Sequence, residues 1–137
     1  MPTGRPFTDF DLSNVVGRGL EDVGFVRCTP VQDLSLPITL KGLDVAAQAQ
    51  TGTGKTAAFL ITLFERLHNF EKRKAGIPAG LILAPTRELA LQIYQDGLKL
   101  GAHTELNMVA VFGGIDYQKQ AKQLRDGVDI VIATPGR

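Results

Sequence analysis

Apolar positions along this chain follow two alternating spacings. Runs of strand length fall near Asp44 to Gln48, Leu81 to Ala84, Asn107 to Phe112 and Asp129 to Ala133. Between and before them the spacing lengthens to that of helices. The segment from Gly54 to about Asn69 carries Ala57, Ala58, Phe59, Leu60, Ile61, Leu63, Phe64 and Leu67. It is apolar around most of its circumference, as expected for a helix packed deep against a sheet. Further helices are predicted from about Arg87 to Leu100 and from about Asp116 to Leu124, with two shorter ones, Leu12 to Leu20 and Pro30 to Leu40, as a lead-in. Strands alternating with helices are the mark of βαβ units on a parallel sheet, so the expected class is α/β. The charged stretch Glu71-Lys72-Arg73-Lys74, followed by Ala75-Gly76-Ile77-Pro78, reads as an exposed connection.

Between the first strand-like run and the long apolar helix lies Ala49-Gln50-Thr51-Gly52-Thr53-Gly54-Lys55-Thr56. Its glycines let the backbone curl until several N–H groups converge on one anion. Lys55 can reach the outer phosphates of a nucleotide, and the Thr56 hydroxyl can meet a magnesium ion. A helix starting near Gly54 adds its positive dipole end at the same point. The first position of the general phosphate-loop pattern, usually glycine, is Ala49 here.

Composition narrows the remaining classes. At 137 residues and net charge +1 the chain has no polybasic field, so any nucleic-acid contact has to come from specific loops. One cysteine, Cys28, excludes an internal disulfide framework and fits a reducing cytosol. No apolar run reaches the roughly 18 residues of a spanning helix, and a cytoplasmic protein without membrane contact is expected. His68 and His103 lack metal-ligand spacing, and Tyr94 and Tyr117 read most simply as packing residues. The final residues, Val128 to Arg137, read as a buried strand entering a loop with no closing helix, so a longer parent protein is expected.

A phosphate loop alone says only nucleotide. Gly24-Phe25 followed by Thr29-Pro30-Val31-Gln32, then Ala49 to Thr56, Pro85-Thr86-Arg87-Glu88-Leu89-Ala90, Gly113-Gly114 and Thr134-Pro135-Gly136-Arg137 stand in one order. Together they resemble the first half of a DEAD-box RNA helicase, and the resemblance covers essentially the whole chain. It implies a RecA-like phosphate-loop domain with a mostly parallel sheet, cut before its acidic (Walker B) strand. Residues 1–40 would form a lead-in and 41–137 part of the ATP-binding domain. Details such as Cys28-Thr29-Pro30-Val31-Gln32 and Gly127-Val128-Asp129-Ile130 resemble the bacterial branch associated with the RNA degradosome, which implies a ribonuclease partner docking outside these residues.

The resemblance assigns roles residue by residue. The Gln32 carboxamide offers a donor and an acceptor side by side, matching N6 and N7 of adenine and predicting ATP over GTP. Phe7, seventeen positions before Gly24, would stack on the adenine, or with Phe10 would simply staple the lead-in to the core. Ala49 to Thr56 would grip ATP and magnesium, with Lys55 and Thr56 as the catalytic contributors. Pro85, Thr86, Arg87, Gly113, Gly114, Thr134, Gly136 and Arg137 would contact an RNA backbone without reading bases. Arg87, a cation in the first turn of a helix, calls for an anionic partner, either RNA phosphate or a bracing carboxylate. Hydrolysis also needs carboxylates on the metal shell and arginine fingers. The acidic Asp-Glu-Ala-Asp motif is not in the 137 residues, so these residues alone are expected to be inactive. Two other readings stay open: a noncatalytic nucleotide- or RNA-binding piece, and a phosphate-loop ATPase acting on DNA or protein complexes.

Overall fold

The computed structural model describes residues 4–69, 77–114 and 116–137. The connection expected over Glu71 to Lys74 lies outside the described residues. Eight regular elements follow a short 3-10 turn at Phe7–Asp9: α1 (Asn14–Asp22), α2 (Pro30–Thr39), α3 (Lys55–Leu67), β1 (Gly80–Leu83), α4 (Arg87–Leu100), β2 (Met108–Val111), α5 (Tyr117–Arg125) and β3 (Ile130–Ala133). The α/β class is as expected, and every described strand pair is parallel.

The strands lie in the order β1-β3-β2, so β3 is central. Leu83 and Val111 both pair with Ala133, which brings all three strands to their carboxyl ends at one level. Position in the sheet explains the sequence patterns. All four residues of β3 are buried, whereas edge strand β1 alternates buried and exposed. On one face Ile130, Ile132 and Ile82 join Leu60, Phe64, Ala90 and Ile93 in the main core. On the other, Val131 and Ala133 meet Val109, Val111 and Val128, with Leu124 of α5 packed against them.

The lead-in helices belong to the same main core through Val16, Leu20 and Leu36. Polar contacts also tie them to α3. The Glu65 carboxylate accepts from the Ser13 N–H and hydroxyl at the start of α1, and Thr39 of α2 shares a 2.8 Å hydrogen bond with Thr62. The C-terminal half of the phosphate-loop helix is thereby fixed relative to both lead-in helices.

One expected element does not form. Residues 44–48 are irregular and exposed, with no strand paired to them among the described residues. A strand is held by its ladder, and an apolar run without a partner keeps its N–H and C=O groups in water. The expected bounds of the other strands and helices differ from the observed ones by a residue or two at most ends, as fraying ends do.

Candidate nucleotide and nucleic-acid site

The loop between residue 48 and α3 makes the turn its glycines predict. Gly52 and Gly54 have φ of 81° and 92°, backbone that side-chain-bearing residues rarely adopt. Gly54 is the N-cap of α3, so the first N–H groups of that helix, beginning with Lys55 and Thr56, have no intrahelical acceptor. The Thr53 hydroxyl closes the turn on the Gln50 carbonyl at 2.6 Å, and the Lys55 ammonium donates to the Ala49 carbonyl. The lysine is folded back over its own loop, where an anion would compete for it. Thr51, Gly52, Gly54, Lys55 and Thr56 line a cleft of ≈ 910 Å³, whose other walls include Phe25 and Leu83.

Gln32 is not on the wall of this cleft. It is 3% exposed and stands at N3 of α2, with Thr29 at the N-cap. Its Oε1 accepts from the Thr29 N–H at 2.9 Å, one half of a capping box. Its Nε2 donates to the Gly54 carbonyl at 3.1 Å. The carboxamide therefore latches α2 to the phosphate loop, and a Cβ at Gly54 would fall 2.4 Å from that nitrogen. The Thr29 hydroxyl beside it faces the Gln32 backbone N–H in the other half of that box. The open N–H groups at the start of α3 suit an anionic ligand at the loop.

Phe7 is 4% exposed and belongs to the core, stacked on Phe25 at 6.3 Å between centroids. Residues 4–7 are sewn to 26–28 by backbone bonds, and Arg5 pairs with Asp33 next to Gln32. In this structure Phe7 thus staples the lead-in, with Phe10 packed nearby, and Phe25 is the ring that meets the cleft. Cys28, fully buried in the same seam, is no exposed nucleophile: burial, with the Asp33 carboxylate adding to it, pushes its thiol up to about 11.

The parallel sheet delivers the other motifs to a single edge. Pro85 to Arg87 leave β1, Gly113 and Gly114 leave β2, and Thr134 to Arg137 leave β3. Thr86 caps α4 as expected, its hydroxyl accepting from the Leu89 N–H at 3.2 Å. Arg87 does not rest on a carboxylate among the described residues; its guanidinium lies over the Phe112 ring, 5.4 Å from the centroid, and against Gly114. Gly114 has φ of 86°, and a Cβ there would be 2.8 Å from the Arg87 Nη1. Arg137 lies over the ring of Tyr117, also at 5.4 Å. Tyr117 is 64% exposed, which corrects its reading as a packing residue; Tyr94 does pack against the core. A guanidinium held on an aromatic face, as that of Arg87 is, can bind a phosphate while remaining accessible.

Three features escaped the sequence reading. The double bonding of Gln32 was signalled by Thr29-Pro30-Val31-Gln32, which has the residue types of a capping box. The Ser13 to Glu65 contact spans 52 residues and left no local signal. Gln120, discussed below, is buried in a helix that is otherwise polar.

This geometry defines an α/β domain with a phosphate-loop turn at the head of α3 and three motif loops at the carboxyl ends of one parallel sheet. Residues 29–137 match the DEAD/DEAH box helicase family, and the chain belongs to it. It is 55% identical to the ATP-dependent RNA helicase RhlB of Xanthomonas oryzae over 98% of this chain and 24% of that protein. It is 53% identical to the protein of the same name from Hamiltonella defensa, over 98% of this chain and 33% of the relative. The chain thus spans about a quarter to a third of the length of these relatives. No helix among the described residues is long and apolar enough to cross a membrane.

Proposed function

We propose that this chain is the ATP-gripping and part of the RNA-gripping surface of an ATP-dependent RNA helicase. The observation that carries the reading is convergence: a phosphate loop is latched to Gln32, and three motif loops leave the carboxyl ends of one parallel sheet, as ligand sites of open α/β folds do. Residues 1–40 serve as the adenine-side lead-in and 41–137 as the phosphate and RNA side.

In this reading Gly52 to Thr56 hold the phosphates and Lys55 leaves the Ala49 carbonyl for the outer ones. The exposed Phe25, backed by Phe7, faces the base, and Gln32 selects adenine only if nucleotide binding opens a path to the second N–H and second lone pair of its carboxamide, which is buried and bonded to Thr29 and Gly54 here. Bound magnesium supplies charge neutralisation at the phosphates, and the Thr56 hydroxyl is the group here that would hold it. Pro85, Thr86, Arg87, Gly113, Gly114, Thr134, Gly136 and Arg137 hold an RNA backbone of any sequence. The names of the relatives support RNA as the polymer and ATP as the nucleotide. A ribonuclease partner and a cytoplasmic site of action rest on the family resemblance alone.

The test is ATP hydrolysis by the full-length protein with single-stranded RNA or single-stranded DNA of the same sequence. RNA should stimulate turnover and DNA should not. Equal stimulation by both would favour an ATPase acting on other substrates.

A further inference from the structure

α5 has the sequence Tyr-Gln-Lys-Gln-Ala-Lys-Gln-Leu-Arg, and its one fully buried residue is a glutamine, Gln120, at 3% exposed. A leucine there would avoid the cost of desolvating a carboxamide. That cost is only partly offset, because Gln120 Oε1 is buried without a hydrogen-bond partner. What the side chain does make is a buried bond: its Nε2 donates to the Phe112 carbonyl at 3.2 Å. Phe112 is the last residue before Gly113-Gly114, and its ring lies beneath the Arg87 guanidinium. Arg87 in turn packs so closely on Gly114 that a Cβ there would displace its guanidinium. One carboxamide thus fixes the residue that aims both the glycine turn of β2 and the arginine of α4.

We propose that Gln120 is a positioning residue for the RNA backbone, acting through Phe112 on Arg87 and the Gly113-Gly114 turn. The inference rests on the RNA reading above. Gln120→Met keeps the length and apolar packing of the side chain but cannot donate to the Phe112 carbonyl, which is left unpaired and free to shift.

The experiment measures binding of fluorescent single-stranded RNA to the full-length protein with a non-hydrolysable ATP analogue. Gln120→Met should weaken RNA binding about threefold to tenfold, the usual worth of one hydrogen bond, while the KM for ATP stays at the wild-type value. The double variant Gln120→Met, Arg87→Ala should lose less than the sum of the two single losses, because part of the glutamine's effect runs through that arginine. A packing role by itself would lower the melting temperature without that non-additivity. Wild-type RNA affinity in Gln120→Met, or additive losses in the double variant, would overturn the proposal. If Gln120→Met does not fold, Phe112→Leu replaces it, removing the ring beneath Arg87 while keeping the carbonyl. It should show the same weakening, and wild-type affinity there would be equally fatal. Absence of RNA binding by the wild-type protein would sink the RNA reading itself, whereas normal wild-type binding with an unaffected variant sinks only this inference.

Discussion

Replacing Gln32 by Met separates two duties that the structure gives to one side chain. Methionine nearly fills the space of glutamine, so no large cavity opens, but it can neither accept from the Thr29 N–H nor donate to the Gly54 carbonyl. Each hydrogen bond contributes about 1 kcal/mol net, and leaving its buried partner unmet costs somewhat more. Their joint loss should destabilise the domain by about 2 to 3 kcal/mol. For a domain of this size about 3 °C of melting temperature corresponds to each kcal/mol. The nucleotide-free protein should therefore melt roughly 6 to 9 °C lower, as read by differential scanning calorimetry. Separately, if the second N–H and second lone pair of the carboxamide read adenine when nucleotide is bound, loss of that bidentate contact of about 2 kcal/mol would cut the preference for ATP over GTP roughly thirtyfold in competition binding. The two readouts fail independently. A wild-type melt refutes the latch between α2 and the phosphate loop. A lowered melt with an unchanged ATP preference shows that adenine is read elsewhere.

Lys55→Ala removes the charge meant for the outer phosphates and should abolish RNA-stimulated ATP turnover in the full-length protein; normal turnover would refute the loop's assignment. Tyr117→Leu removes the ring holding Arg137 and should weaken RNA binding about threefold at low salt, the worth of an exposed cation–π contact, with Tyr117→Phe at the wild-type value. Because folding raises the Cys28 pKa to about 11 from an ordinary value of 9.0, its stabilising contribution is present below pH 9.0 and falls as pH rises from there to about 11. Denaturant titrations should show that decline flattened in Cys28→Ala, and iodoacetamide should label wild-type Cys28 at pH 7.5 only at the rate of unfolding. Residues 1–137 expressed alone should aggregate, because Leu43, Leu81 and Leu83 are 62%, 64% and 62% exposed; a sharp cooperative melt of soluble monomer would contradict this.

Where a pattern in the sequence is enforced by its immediate neighbours, it was readable. α4 begins and ends where its periodicity and Thr86 cap predict, and the unbroken apolar run at 130–133 reads as a central strand because both of its faces are covered. The apolar run at 44–48 looks equally strand-like but has no ladder partner among the described residues. Strand identity is a property of pairs, and local pattern supplies only one member. The site shows the same division. The glycines and lysine of the phosphate loop were legible because their chemistry is contained in eight consecutive residues. The setting of Gln32 was not, because its second partner, the Gly54 carbonyl, lies 22 positions away and backbone carbonyls carry no sequence signature.

The same limit explains the arginines. Sequence placed Arg87 in the first turn of a helix, where the dipole disfavours a cation, and asked for an anion to offset it. The structure answers with the face of Phe112, whose quadrupole attracts the guanidinium while leaving its N–H donors uncommitted to a carboxylate. That difference bears on function. An arginine already paired with a carboxylate would have to break the pair before binding phosphate, whereas one held on a ring keeps its charge for the ligand. Arg137, after the neighbouring strand, also lies over a ring, that of Tyr117. In the RNA reading, the support of Arg87 by the Phe112 ring, with Gln120 bonded to the carbonyl of that same residue, would set this part of the edge before the polymer arrives.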